Sequence, residues 1–168
     1  MNNFAEIAAE NIELKPFSLI NNSWMLITAG CDAGFNTMTA SWGGLGTLWN
    51  KSVAICVIRP TRYTFEFVES NDLFTLCFFD EQYRDALNLC GTKSGRDIDK
   101  VAQTGLTPIF EDGTTYFAQA SMVFFCRKLY AQNITPDCFV EKALDSLYAK
   151  KDYHKMYVGE IVKVLVKK

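Results

Sequence analysis

One histidine, four prolines and no Cys-x-x-Cys pair mark the 168-residue chain by their scarcity. With His154 alone, a tetrahedral zinc site would have to be assembled from scattered thiolates, and no Ser/His/Asp or Cys/His arrangement supplies a general base. No metal site is expected. The six cysteines, Cys31, Cys56, Cys77, Cys90, Cys126 and Cys138, share no spacing. Cys56, Cys77 and Cys126 lie in apolar runs, where a reduced thiol packs as a small hydrophobe. Cys90 adjoins a glycine-bearing loop, and its role stays open at this point.

The chain also lacks an excess of either charge. Lys and Arg number 17 against 19 Asp and Glu, for a net charge of −2, which leaves no basic field for nucleic acid or an anionic membrane. No apolar run approaches the ~18 residues of a membrane span. Glu6, Glu10 and Glu13 occupy the stretch where a signal peptide would place a basic start and an apolar run, so a cytoplasmic protein is expected. A dinucleotide fingerprint and a Walker A loop are missing, and "GGLG" at 43–46 is a weak phosphate signal without a following Lys-Ser/Thr. No paired carboxylates suggest glycoside hydrolysis. With neither repeat nor linker, residues 1–168 read as one domain.

What the chain does have is a series of short β-like runs. These are 23–30, 37–42, 52–59, 73–79, 115–134 and 155–168, rich in Val, Ile, Phe, Tyr and Thr and mostly bounded by Gly, Asn, Asp or Pro. Helix candidates lie between them. "TRYTFEFVESN" has Thr61 as a possible cap, "DEQYRDALNLCG" has Asp80 as cap and Gly91 as stop, and "SGRDIDKVAQTG" is short. "TPDCFVEKALDSLYAKKD" places Phe139, Leu144 and Leu147 on a stripe. Many strands with few helices point to a β-barrel decorated by helices.

Three stretches offer binding chemistry. In "NTMTASWGG", strand alternation projects Thr37, Thr39 and Ser41 to one side and Met38, Ala40 and Trp42 to the other. A hydroxyl ladder of this kind can meet the polar edge of a flat heteroaromatic ligand, or simply face water on an edge strand; both readings stand on the residues alone. In "RPTRYTFEFVE", Pro60 ends a strand, and the first turn of a helix gathers free N–H groups beside Arg59, Arg62, Tyr63 and Thr64, a suitable anion site. "LCGTKSGRDIDK" sets Lys93, Arg96 and Lys100 on a glycine-bearing loop, with Asp97 and Asp99 as neutralising neighbours.

Together "NTMTASWGG", "RPTRYTFEFVE", "FTLCFF", "GTKSGRDIDK" and "HKMYVGEIVKV", in this order across residues 36–164, resemble the flavin reductase-like family of FMN-binding split barrels, in particular its flavoredoxin-like group. The resemblance implies a mainly β fold, a six-stranded antiparallel Greek-key split barrel with peripheral helices. It also implies a homodimer with FMN near the interface. Carried over by position, Asn36, Thr37, Met38, Thr39, Ala40, Ser41 and Trp42 would meet the isoalloxazine and ribityl groups. Arg59, Thr61, Tyr63 and Thr64 would surround the phosphate, and Cys90, Gly91, Ser94, Gly95 and Lys100 would close over it. His154 matches a histidine near the nicotinamide site of related reductases. The function implied is an FMN-dependent oxidoreductase that takes hydride from NAD(P)H. The alternatives are an electron carrier served by a redox protein, and a non-catalytic binding or assembly module. The segment ahead of the last strand departs from the shorter family members by a helical insertion.

Overall fold

A computed structural model describes residues 3–168. Its strands are β1 (Phe4–Ile7), β2 (Met25–Cys31), β3 (Gly34–Ala40), β4 (Gly43–Leu48), β5 (Lys51–Ile58), β6 (Leu73–Phe78), β7 (Pro108–Glu111), β8 (Thr114–Phe117), β9 (Met122–Asn133) and β10 (Lys155–Lys167). Helices are α1 (Pro16–Ser18), α2 (Tyr63–Ser70), α3 (Arg84–Thr92) and α4 (Lys100–Thr104). Among the described residues no helix is long and apolar enough to cross a membrane.

Alternation along the strands builds two cores from one sheet. The sheet runs β3-β2-β6-β9-β10-β5-β4, antiparallel throughout, with β1 added to the far end of β10. Met25, Ile27 and Ala29 of β2, Phe74, Leu76 and Phe78 of β6, and Phe124 and Cys126 of β9 point inside the barrel. Their neighbours Leu26, Cys77, Val123 and Phe125 point outward and are covered by the β7–β8 hairpin and α3. The strands thus read as continuous apolar runs because both faces are buried, not because the period is lost. Val68 of α2, with Phe65 and Phe67, packs on the inner core, whereas Leu87 and Cys90 of α3 belong to the outer one.

Among the described residues eight strands form the main sheet and two the outer hairpin, where the family resemblance implies a six-stranded barrel. The run 115–134 divides between β8 and β9. β4, "GGLGTL", has too little β-branched or aromatic content to announce itself and is a strand because it pairs with β5 from Gly43↔Cys56 to Leu48↔Lys51. Trp49 and Asn50 make its two-residue turn, with φ of 52° and 56°. The helix expected over 135–152 is instead two 3-10 turns, Pro136–Cys138 and Lys142–Tyr148. Leu144 and Leu147 are about half exposed there, so the stripe finds no surface to bury it and only Tyr148 of the second turn is buried. Thr61 does not cap α2; Arg62 holds that position without a side-chain bond, and α3 continues through Gly91.

Gly159 lies where β10 crosses the inner core. A Cβ there would stand 2.8 Å from Cζ of Phe74 and 2.9 Å from Cβ of Cys126. Gly159→Ala is therefore expected to cost about 1–3 kcal/mol through overpacking. Urea unfolding reads this directly, and an unchanged midpoint would mean that the Phe74 ring yields freely.

Candidate functional site

The sheet ends at β3 on one side and at β4 on the other, and β3 approaches β5 across this seam without pairing with it. A cavity of about 280 Å³ opens at the seam. One wall is Met38, Thr39, Ala40, Ser41 and Trp42, at the end of β3. Val57, Arg59 and Arg62 face it, and Gly91 and His154 complete it. A groove of about 690 Å³ shares Ser41 and Trp42 with this cavity and continues along Gly43, Gly44 and Leu45 to Phe17, Ile20 and Asn21. Among the described residues no ionisable side chain lines the groove.

The sequence makes the basic wall by ending a strand sharply. Pro60 cannot donate to a β-ladder, and the backbone N–H of Arg62 turns back to Arg59 O at 3.0 Å. Both arginines then stand at the ends of one turn and reach the same cavity. Their states differ. The guanidinium of Arg59 donates to Asp152 Oδ1 at 2.6 Å and to Leu147 O at 3.1 Å, and it lies over the Tyr148 ring at 5.0 Å. Hydrogen bonding from Arg59 holds the Asp152 carboxyl below its usual range. Arg62 is half-buried, and its guanidinium has no hydrogen-bond or ion-pair partner among the described residues. Burial lowers its pKa, which is the mark of a cation stripped of water without an anion in return.

Of the residues expected at the site, some line the cavity, some are buried behind it, and Thr61, Tyr63, Ser94 and Gly95 do neither. Met38, Thr39, Ala40, Ser41, Trp42, Arg59, Gly91 and His154 line the cavity. Asn36, Thr37, Thr64, Cys90 and Lys100 are buried behind it. The Thr37 hydroxyl lies 2.8 Å from that of Thr28 on β2, and Asn36 Nδ2 donates to Thr64 Oγ1 at 2.7 Å. Thr39 Oγ1 donates to Leu87 O of α3, tying the cavity wall to that helix. Gly95 gives this packing its room, since a Cβ there would meet Asn36 Oδ1 at 2.1 Å. Tyr63 sits under the Arg96 guanidinium at 4.5 Å, Ser94 Oγ accepts from Arg96 N, and Thr61 is exposed in the turn. Burial raises the pKa of Cys90 to about 11, so its thiol is a packed neutral group at physiological pH. The carry-over by position omits two cavity residues, Val57 and Arg62, although the anion-site reading of the turn contains Arg62.

His154 forms the roof. Nδ1 shares a hydrogen bond of 2.9 Å with the Tyr148 hydroxyl, and Trp42 lies 5.2 Å away between ring centroids. Burial first, then the Arg59 charge, push its pKa down to about 4, so the ring is neutral at pH 7 and offers one donor and one acceptor.

The cavity's chemistry is that of a site for an anion carrying hydroxyls, continued by an uncharged apolar groove. Residues 17–168 match the model of the flavin reductase like domain, and the chain belongs to that family. Its fold is shared with the FMN-binding domain of a flavin reductases-like enzyme from Shewanella baltica, at a TM-score of 0.68, 17% identity, and coverage of 99% of this chain and 78% of the other. Flavoredoxin of Desulfovibrio vulgaris gives a TM-score of 0.68, 18% identity, and coverage of 96% and 77%. Nitrilotriacetate monooxygenase component B from Bacillus cereus gives 0.69, 15%, and 96% and 81%. No curated protein sequence matches the chain.

The state of His154 can be checked without ambiguity because it is the sole histidine. Its imidazole NMR signals are expected to titrate near pH 4; a midpoint near 6.5 would contradict the buried placement. Since the unfolded ring binds a proton that the folded ring refuses between those values, His154 makes stability rise with pH over that window. His154→Gln should flatten that part of the stability profile.

Proposed function

We propose that this chain is an FMN-dependent oxidoreductase of the flavin reductase type. The unpaired guanidinium of Arg62 carries the reading: a half-buried cation, in one cavity with the hydroxyl of Ser41, is matched to a phosphate monoester with a polyol attached. The donor set fits FMN at its other end as well. Trp42, Leu45, Ile20 and Phe17 give the adjoining groove apolar surface for a fused ring system, with amide and hydroxyl groups of Asn21, Ser18 and Ser41 for its polar edge. Within the expected anion site the phosphate role thus centres on Arg62, while Arg59 serves from its pairing with Asp152.

The chemistry supplied by the bound cofactor is hydride acceptance from NAD(P)H and delivery of electrons to an acceptor. This chain's own part is to bind, orient and exclude water. Arg62 neutralises the phosphate, the β3 wall fixes the cofactor's length against the seam, and the His154 ring, kept neutral, adds hydrogen-bonding capacity to the roof without adding charge. No acid or base among the cavity residues needs to move a proton. This agrees with the lack of any catalytic triad or carboxylate pair in the chain.

Arg62→Met tests the reading. FMN affinity should fall on the order of 10- to 100-fold, as expected for a charge-assisted contact, while riboflavin affinity stays within about 3-fold. Equal losses for both ligands would place the phosphate elsewhere. Anaerobic addition of NADH or NADPH to the wild-type complex should bleach its visible band. Failure to bleach, with reduction by a redox protein instead, would mark an electron carrier.

A further inference from the structure

β3 carries the cavity wall, yet it is the last strand of the sheet, paired with β2 on one edge alone. An edge strand is ordinarily free to fray or shift, and something must hold its outer edge if Thr39 and Ser41 are to keep their places. α3 lies along that edge, and between the two sits Lys100, from the start of α4, 7% exposed. Its ammonium donates to Thr37 O of β3 at 2.7 Å and to Cys90 O of α3 at 3.0 Å. Neither bond is to a cavity group, and Lys100 is not among the residues that line the cavity.

We infer that Lys100 is a positioning residue for the cofactor site. It stands where a neighbouring strand would have been, bonding the edge carbonyl of Thr37 to the last turn of α3, and it acts on the ligand through the wall formed by Thr39, Ser41 and Gly91. This rests on the FMN reading for the identity of the ligand, but the role is set by the two carbonyls. The charged groups facing it are consistent with such a role. Burial, with the nearby Arg62 charge, lowers its pKa to about 8, and the neutral amine still has two N–H groups for its two acceptors. The clamp therefore survives deprotonation, whereas a phosphate ligand would lose its charge.

Lys100→Met keeps the volume and removes both bonds; Lys100→Gln is the second variant should the first fail to fold. In a variant that is folded by circular dichroism, FMN and riboflavin affinities should fall by the same factor, about tenfold, from loss of two buried hydrogen bonds. Backbone amides of residues 37–41 should exchange hydrogen faster in the ligand-free protein, an effect that needs no cofactor. Selective loss of FMN affinity would make Lys100 a phosphate ligand and overturn the inference. Lower thermal stability with unchanged affinities and unchanged exchange in β3 would reduce it to a structural residue. If wild type binds neither flavin, the FMN reading fails, while the exchange measurement still decides the clamp.

Discussion

A sheet that does not close leaves one edge strand to be held by side chains, and that constraint organises the site. Were β3 paired with β5, the seam would be filled by a ladder of backbone bonds and no cavity would exist. Because it is not, the outer edge of β3 is secured by Thr39 to Leu87 O, by Lys100 to Thr37 O, and by Asn36 to Thr64 on α2. All three are buried or part-buried hydrogen bonds to a neighbouring helix or its flanking loop. Such bonds are costly to break without replacement, which makes the wall rigid without making it a ladder.

The electrostatics of the site follow from the same seam. Two arginines from one turn enter it, and the segment between β9 and β10 neutralises one of them through Asp152. The other, Arg62, keeps its charge in a partly desolvated place. A single unpaired cation among hydroxyls is a selective arrangement: it favours one anionic group of modest size and leaves the neighbouring groove free of charge for a neutral ring. The segment that supplies Asp152 also supplies Tyr148 and, at its end, His154, so it forms part of the site's roof.

Much of this was legible in the chain. β2, β5, β6 and β10 follow from β-branched and aromatic runs, and the alternation of "NTMTAS" puts Met38 in the core, although Met38, Ala40 and Trp42 also line the cavity beside Thr39 and Ser41. What alternation could not tell is which hydroxyl would face the cavity. Thr37 and Thr39 are both taken up, by Thr28 on the partner strand and by Leu87 O of α3, while Ser41 stands further along, where the cavity opens. Similarly, Arg59 and Arg62 look equivalent within one turn, and the difference is made by Asp152, 93 positions away. β4 escapes notice because three of its six residues are glycine, and the expected helix after β9 is absent because its apolar stripe meets no second surface. Local pattern decides elements that bury a face; long-range pairing decides the rest.

The central claim is that the seam between β3 and β5 receives the phosphate end of FMN at Arg62. A crystal structure of the protein grown with FMN tests this most directly. The account predicts phosphate oxygens within hydrogen-bond distance of the Arg62 guanidinium, beside Ser41 and Gly91, with the Arg59–Asp152 pair still formed. A phosphate bound away from Arg62, or a seam left empty while FMN sits elsewhere, would contradict it.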